Sequence, residues 1–220
     1  MANAREILSR MKSVQDTRKI TNAMYLISST KLKKSKKLLE ETEPYFYTLQ
    51  DLIRRILRHM PDVEHFYFNP RKEIKEEDRV KGLIVITGDK GLAGAYNHNV
   101  LKMAQEWMEQ GDNHRLYVVG ELGRHYFASK HIPVEEQFHY TVQNPTMHRA
   151  RLISSTILED YEEGRLDEVW IIYTQMMNSM QMEAEMTELL PLKREDFSNI
   201  VIPADIIQEE IQMVPSPSAV

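Results

Sequence analysis

The sequence contains no cysteine, and that absence excludes a disulfide framework, a thiol nucleophile, a thiolate zinc site and an iron–sulfur cluster together. Glycine and proline are sparse, 8 and 9 of 220 residues, so the chain is neither collagen-like nor a low-complexity polymer. Long apolar runs are missing too. Stretches such as Leu83 to Ile86 last only a few residues, whereas a membrane span needs about 20. The first residues, MANAREILSR, have no apolar core of the signal-peptide kind, and the expectation is a cytoplasmic protein. What is present is a composition 42% hydrophobic and 28% charged, which suits a folded domain with an appendage rather than a disordered chain.

Charge is unevenly placed. The whole chain stands at −5, from 28 basic and 33 acidic residues. Residues 1–40 carry ten basic side chains against Glu6, Asp16 and Glu40, a local +7, which leaves the other 180 residues at −12. A basic arm on an acidic body points to an anionic partner: nucleic acid, a membrane surface or an acidic protein collar. The plainer alternative is that Lys31, Lys33, Lys34, Lys36 and Lys37 form the solvated face of a helix.

From Ala4 to Glu43 there is neither glycine nor proline, and most residues are good helix formers, which predicts one unbroken helix. Ile7, Met11 and Val14 step by four and three, as a coiled-coil seam does. The apolar pattern then moves to Ile20, Met24 and Ile27 and again to Leu32 and Leu39, so an interrupted heptad is expected. Thr17, Thr21, Ser28, Ser29, Thr30 and Ser35 keep the surface small and polar beside it. A second apolar stretch (Tyr45, Leu49, Leu52, Ile53, Ile56) follows Pro44, which is expected to kink the helix or start a new one. If nearly continuous, about 55 residues at about 1.5 Å each make a rod of roughly 80 Å. A stripe on such a rod needs another helix to cover it, and the sequence offers no second long one. The expected partner is another chain or a segment after Val220.

After a polar linker, taken as residues 61–81, the period changes. Gly82 to Thr87 reads as a buried strand, Tyr96 to Gln110 as a helix, Leu116 to Val119 as a strand and Glu121 to Lys130 as a helix. Asn144 and Pro145 form an N-cap and first-turn pair for a helix closed by Gly164, and Val169 to Tyr173 is a third buried strand. Strands alternating with helices predict a Rossmann-like α/β domain, residues 82–203, with a mostly parallel sheet covered on both faces. Residues 204–220 are taken as the start of a return segment. The turn after the first strand, GDKGLAGAYN, places Gly88, Gly91 and Gly94 at intervals of three, with Asp89 and Lys90 between, where α/β proteins hold phosphates. Its spacing matches neither G-x-G-x-x-G nor G-x-x-x-x-G-K-[ST], so the expectation is a tight structural turn.

Other constellations are weaker. His59 with His65, His98, and His139 with His148 lack metal-site spacing on one helix face. Adjacent Glu135 and Glu136, and Glu162 and Glu163, are expected to be solvated. Met176, Met177, Met180, Met182 and Met186 are read first as adaptable core packing and second as a partner surface. Serine and histidine occur without a nucleophile elbow. No catalytic residue, metal ligand or cofactor site is assigned.

Four segments in order resemble the gamma-subunit family of rotary F-type ATP synthases: REILSRMKSVQDTRKITNAMYLISSTKLKKSKK at 5–37, LIVITGDKGLAGAYNHNV at 83–100, EGRLDEVWIIYTQMMNSM at 163–180 and LLPL at 189–192. The T-x-x-I-T-x-A-M pattern from Thr17 to Met24 is the most specific. Lys90 and Ala93 stand where the family often has Arg and Cys. The resemblance implies an α/β domain interrupting an antiparallel pair of long helices, a shaft turning inside a hexamer whose alpha and beta subunits do the chemistry. It implies a non-catalytic subunit at the cytoplasmic face of a bacterial membrane, peripheral to it, coupling proton flow through the c-ring to ATP synthesis. The shaft residues Ile7, Met11, Val14, Thr17, Ile20, Thr21, Met24, Ile27, Lys31, Lys33, Lys34 and Lys37 would be partner contacts, the basic ones towards the acidic lower part of the hexamer. The body would meet the ring and the epsilon subunit, with no nucleic acid involved. The family continues for roughly 70 residues after a segment like Pro215 to Val220, and those build the second shaft helix.

Two other readings stand beside this one. A nucleotide-binding α/β enzyme with a helical oligomerisation arm would use Gly88 to Gly94. A nucleic-acid adaptor would use Lys31 to Lys37, but no aromatic platform accompanies that run.

Overall fold

A computed structural model describes residues 2–59, 64–111, 113–178 and 181–198. The expected segments at 199–203 and 204–220, and Met180, lie outside the described residues. Two compact units divide the chain, one containing the N-terminal helix and the other residues 62–196.

The N-terminal helix α1 runs from Ala2 to His59 as one element of 58 residues, with Pro44 inside it. Pro44 therefore starts no new helix, which removes the second of the two sequence alternatives, and the near-continuous rod is one element. Proline removes one intrahelical hydrogen bond. On both sides threonine hydroxyls bond back to the carbonyl four residues earlier: Thr42 Oγ1 donates to that of Leu38 at 2.7 Å and Thr48 Oγ1 to that of Pro44 at 2.8 Å.

The second unit is a four-stranded sheet in the order β2-β1-β3-β4, made of β1 (Lys81–Ile86), β2 (His114–Val119), β3 (Glu168–Met176) and β4 (Met182–Leu190). Strand β1 is parallel to both neighbours, with Leu83 opposite Leu116 and Trp170, while β4 returns antiparallel to β3. The sheet is thus mostly parallel, as its alternating elements suggest. Helices α2 (Tyr96–Met108) and α3 (Glu121–Ser129) cover one face, where Leu83, Val85, Val118 and Ile172 pack with Val100, Leu101, Ala104 and Phe127. Helix α4 (Met147–Glu162) covers the other, where Ile84, Tyr117 and Val169 meet Ile157 and Tyr161. A short helix α5 spans Arg194–Ser198.

Three details depart from the sequence reading. Thr146, not Asn144, caps α4: it is extended, and its Oγ1 accepts the Arg149 N–H at 3.2 Å, whereas Asn144 sits in the left-handed region with φ 50°. Strand β4 was not foreseen. Its methionines are surface residues rather than core, Met182 being 58% and Met186 37% exposed. The stretch before β1 is no plain linker. Its described part, residues 64–80, forms 3-10 turns at Phe66–Phe68 and Glu76–Asp78, and Tyr67, Arg71 and Arg79 bond to the body. There the Leu192 N–H donates to the Tyr67 carbonyl at 2.7 Å, joining the segment that leads into the body to the one that leads out.

Candidate functional site

Two features named from the sequence hold the candidate residues: the surface of α1 and the glycine loop after β1.

On α1 every candidate side chain is exposed: Ile7 54%, Met11 54%, Val14 68%, Ile20 62%, Met24 46% and Ile27 59%, with Thr17, Thr21, Lys31, Lys33, Lys34 and Lys37 also facing outward. Counted along one continuous helix, the apolar pattern does not lose phase. It forms two stripes side by side. One has Met11, Tyr25, Leu32, Leu39, Phe46 and Ile53 in a column, with Arg18 the exception, and Ile7, Val14, Thr21, Ser28, Ser35, Thr42, Leu49 and Ile56 in the next. Both columns repeat every seven residues, and the second is small and hydroxylated in its middle. The other stripe holds Thr17, Met24, Lys31, Leu38, Tyr45 and Leu52 in one column and Ile20, Ile27 and Lys34 in the adjoining one, turned by roughly 100° from the first. The sequence expectation of a single interrupted seam came from reading the two stripes as one.

The middle of the seam is polar in composition but quiet in chemistry. Thr21 Oγ1 donates to the Thr17 carbonyl at 2.9 Å and Thr42 Oγ1 to that of Leu38 at 2.7 Å, as Thr17 in the second stripe does to that of Ser13 at 2.9 Å. Their hydroxyls are satisfied within the helix, so they offer methyl groups to a neighbour. Among the basic residues Lys37 reaches Glu41 at 3.7 Å, while Lys31, Lys33 and Lys34 make no ion pair among the described residues. Lys31 and Lys34 lie within the second stripe. Lys33 and Lys37 lie outside both.

The loop after β1 is at the carboxyl ends of the parallel strands, and the order β2-β1-β3 changes direction there. That is where open α/β sheets hold ligands. Here the anion-attracting end of α3 is already used by the chain. Asp89 Oδ1 accepts the N–H of Glu121, the first residue of α3, at 3.2 Å and that of Val142 at 3.2 Å. Asp89 Oδ2 is buried with no hydrogen-bond partner among the described residues. Asn97, in the first turn of α2, turns its Oδ1 back to accept the Gly88 N–H at 2.7 Å. Gly88 accepts the Leu122 N–H at 3.1 Å. Gly94 has φ +57° and open space around it, while Lys90, Gly91 and Leu92 are exposed.

Gly120 explains how closely the layers meet. Its φ is +101°, and a Cβ there would lie 2.3 Å from the Thr87 carbonyl oxygen. Thr87 Oγ1 in turn accepts the Gly123 N–H at 3.0 Å. The strap from Phe138 to Val142 is held over this corner by Gly120 N–H to the Tyr140 carbonyl at 2.8 Å and by His139 Nε2 against Glu121 Oε1 at 2.5 Å. Sequence reading named the glycines of the loop but missed Asn97, Gly120 and Val142, whose contacts join positions too far apart for a local pattern to signal.

Titratable groups are shifted for structural reasons. Tyr67 is pushed up from 10.0 to about 12 by burial, by its hydrogen bond to Glu162 at 2.7 Å and by that carboxylate's charge. Glu162 is therefore bonded rather than merely solvated, and Glu163 pairs with Arg165. Burial and the carboxylate of Asp160 also raise the buried Tyr117. No group of three or more metal-ligating carboxylates and imidazoles occurs among the described residues, and no described helix is long and apolar enough to cross a membrane.

Comparison with known proteins gives one answer. The family model described as ATP synthase matches residues 3–220. The ATP synthase gamma chain of Acetivibrio thermocellus is 44% identical over 193 residues, which are 88% of this chain and 65% of that one. The ATP synthase gamma chain of Caldanaerobacter subterraneus subsp. tengcongensis is 40% identical over 223 residues, 98% of this chain and 75% of that one. The chain thus spans about two thirds to three quarters of the length of these relatives. A cryo-EM structure of the central stalk and c-ring of the Tetrahymena thermophila mitochondrial ATP synthase is similar at a TM-score of 0.47 and 18% identity, covering 84% of this chain and 82% of its own.

Proposed function

The chain belongs to the ATP synthase gamma chain family, and we propose that it serves as the central-stalk subunit, a rotor shaft that couples ion flow through a membrane ring to conformational change in a catalytic hexamer. The observation that carries this reading is the surface of α1: 58 helical residues with two exposed apolar stripes and no chemistry of their own. The first stripe suits a partner helix in coiled-coil packing, close where the seam is lined by Thr21, Ser28, Ser35 and Thr42. The second, broken by Lys31 and Lys34, suits the apolar and acidic inner wall of a sleeve made of alpha and beta subunits. Residues 1–60 are then the shaft and the Rossmann-like α/β body its foot, against the ring and the epsilon subunit. The subunit is non-catalytic in this reading and peripheral to the cytoplasmic face of a bacterial membrane.

The runner-up, a nucleotide-binding enzyme, would need the loop from Gly88 to Gly94 to accept phosphate. Asp89 counts against it, because a carboxylate already takes the backbone N–H at the start of α3 and would repel an incoming anion. Gly88, Asp89, Lys90, Gly91 and Gly94 are read as a structural turn.

Co-expression of the full gene product with alpha, beta and epsilon subunits of a related complex tests the rotor reading. Co-purification as one assembly whose ATP hydrolysis depends on this subunit is the expected result. Elution as a separate species, together with saturable binding of ATP or NAD to the chain alone, would overturn it.

A further inference from the structure

Helix α4 continues past the surface it packs on. Its core-facing stripe is set by the buried Ile157 and Tyr161, with Ile153 half-buried one turn earlier. Seven residues before Ile157 the same face carries Ala150, and Met147 stands one turn before that. Both are exposed, Met147 at 60%, and so are His148, Arg149, Arg151 and Leu152. Residues 147–152 are thus exposed on every side of the helix, and about 9 Å of α4 is left uncovered among the described residues.

These turns are nevertheless held in place. Thr146 Oγ1 accepts the Arg149 N–H at 3.2 Å, and Arg149 Nη1 donates to the Gln143 carbonyl at 2.6 Å and to Thr141 Oγ1 at 3.4 Å. Fixing a residue costs about 1–2 kcal/mol of backbone entropy, and little internal burial offsets it here. Their charge also differs from that of the rest of the body. Residues 137–158 contain no acidic residue, whereas the chain after residue 40 stands at −12. The side chains of His148 and Arg151 have no hydrogen-bond or ion-pair partner among the described residues. Arg151, four residues after Met147, lies beside it on the helix.

We propose that residues 147–152 are a docking surface for an acidic protein segment that carries an apolar side chain, Met147 and Ala150 receiving the apolar group and Arg151 a carboxylate. The class of partner follows from charge. A flat anionic surface such as a membrane would also meet the acidic remainder of the body, whereas a narrow segment meets only the basic island. Single-stranded nucleic acid would need a stacking platform, and no Phe, Tyr or Trp occurs between Tyr140 and Tyr161. Because the turns are already helical and capped, docking has little chain left to order on this side. The surface belongs to the α/β body alone and does not depend on the rotor reading.

The test uses the full-length gene product expressed in cells, with a photoreactive benzoyl-phenylalanine in place of Met147, or in place of Gln110, an exposed residue just after α2, as the control. Each adduct is mapped by mass spectrometry. The expected result is that the group at position 147 joins another polypeptide at a segment where Asp or Glu flanks an apolar residue, and that the group at position 110 does not join that segment. R151E is expected to lower the yield at least about fivefold, while R151K keeps most of it. A150E places a negative charge on the same surface and is expected to give the same loss, which covers the case in which R151E does not fold. An adduct to lipid, to a neutral or basic segment, or to residues 199–220 of the same chain overturns the proposal. So does an acidic adduct whose yield is unchanged in R151E and A150E, or the lack of any adduct from position 147. Co-purification with alpha and beta subunits is scored on the same samples, so the rotor reading stands or falls on a separate measurement.

Discussion

Asp89 and Glu121 are joined by one hydrogen bond, the aspartate Oδ1 accepting the backbone N–H at the start of α3, and the same oxygen takes the N–H of Val142. An acidic side chain from the glycine loop thus performs, inside the protein, the task a bound phosphate performs in other α/β folds. Replacing it tests how much of the corner depends on it. Asp89→Ala leaves two backbone donors without a partner and is expected to lower stability by about 2 kcal/mol. Asp89→Asn keeps the accepting oxygen and loses the charge at the helix end, for a loss of about 0.5 kcal/mol. Thermal unfolding of the three proteins gives the ranking, and equal melting of Ala and wild type would sink it.

The two glycines of the corner separate strain from steric exclusion. Gly94 has φ +57° and nothing near its missing Cβ, so Gly94→Ala is expected to cost about 1 kcal/mol for the left-handed backbone alone. Gly120→Ala adds a Cβ 2.3 Å from the Thr87 carbonyl oxygen and must push β1 from β2, with an expected loss of at least about 3 kcal/mol. Urea unfolding of both variants distinguishes them. A Gly120→Ala protein as stable as Gly94→Ala would contradict the close approach.

Tyr67 makes a prediction about alkaline pH. An unfolded tyrosine ionises near 10.0 and this one near about 12, so the folded state holds the proton more firmly. Its contribution to stability is full below pH 10 and is lost as pH rises through about 12. In an ultraviolet difference titration of wild type against Tyr67→Phe, the missing transition is expected close to pH 12, and Glu162→Gln is expected to move it down towards 10. A missing transition at 10 in the wild type would refute the hydrogen bond.

Pro44 stands inside α1 at a cost. Restoring the N–H in Pro44→Ala is expected to stabilise the helix by about 2 kcal/mol, the loss of an interior proline less the gain in unfolded-state freedom. Circular dichroism during thermal unfolding checks the direction. A lower melting temperature would mean that the native helix uses the proline.

These cases show what local patterning in a single sequence can carry. The alternation of strands and helices in residues 82–173 was readable because β1, β2 and the core of β3 are short runs of buried aliphatic residues. Strand β4 was not, because Met182, Glu183, Glu185, Met186 and Glu188 lack the β-branched signature and the strand takes its order from β3 alone. At Pro44 the sequence left two outcomes open, a kinked continuous helix or a new start, because proline chemistry and the good helix formers on both sides pull in opposite directions. At the candidate surfaces the residue types were visible, but the two stripes of α1 become distinct only once the helix is known to be continuous. The bonds of Asp89 link positions 32 and 53 residues away, a relation that no local window contains.

The hydrogen bond from Leu192 to the Tyr67 carbonyl closes the α/β body at its base. A module whose first and last segments touch occupies almost no length along the chain that hosts it. Such a body can be enlarged, trimmed or exchanged between relatives without altering the spacing of what comes before and after it. A foreign domain can be grafted between Tyr67 and Leu192 on the same terms.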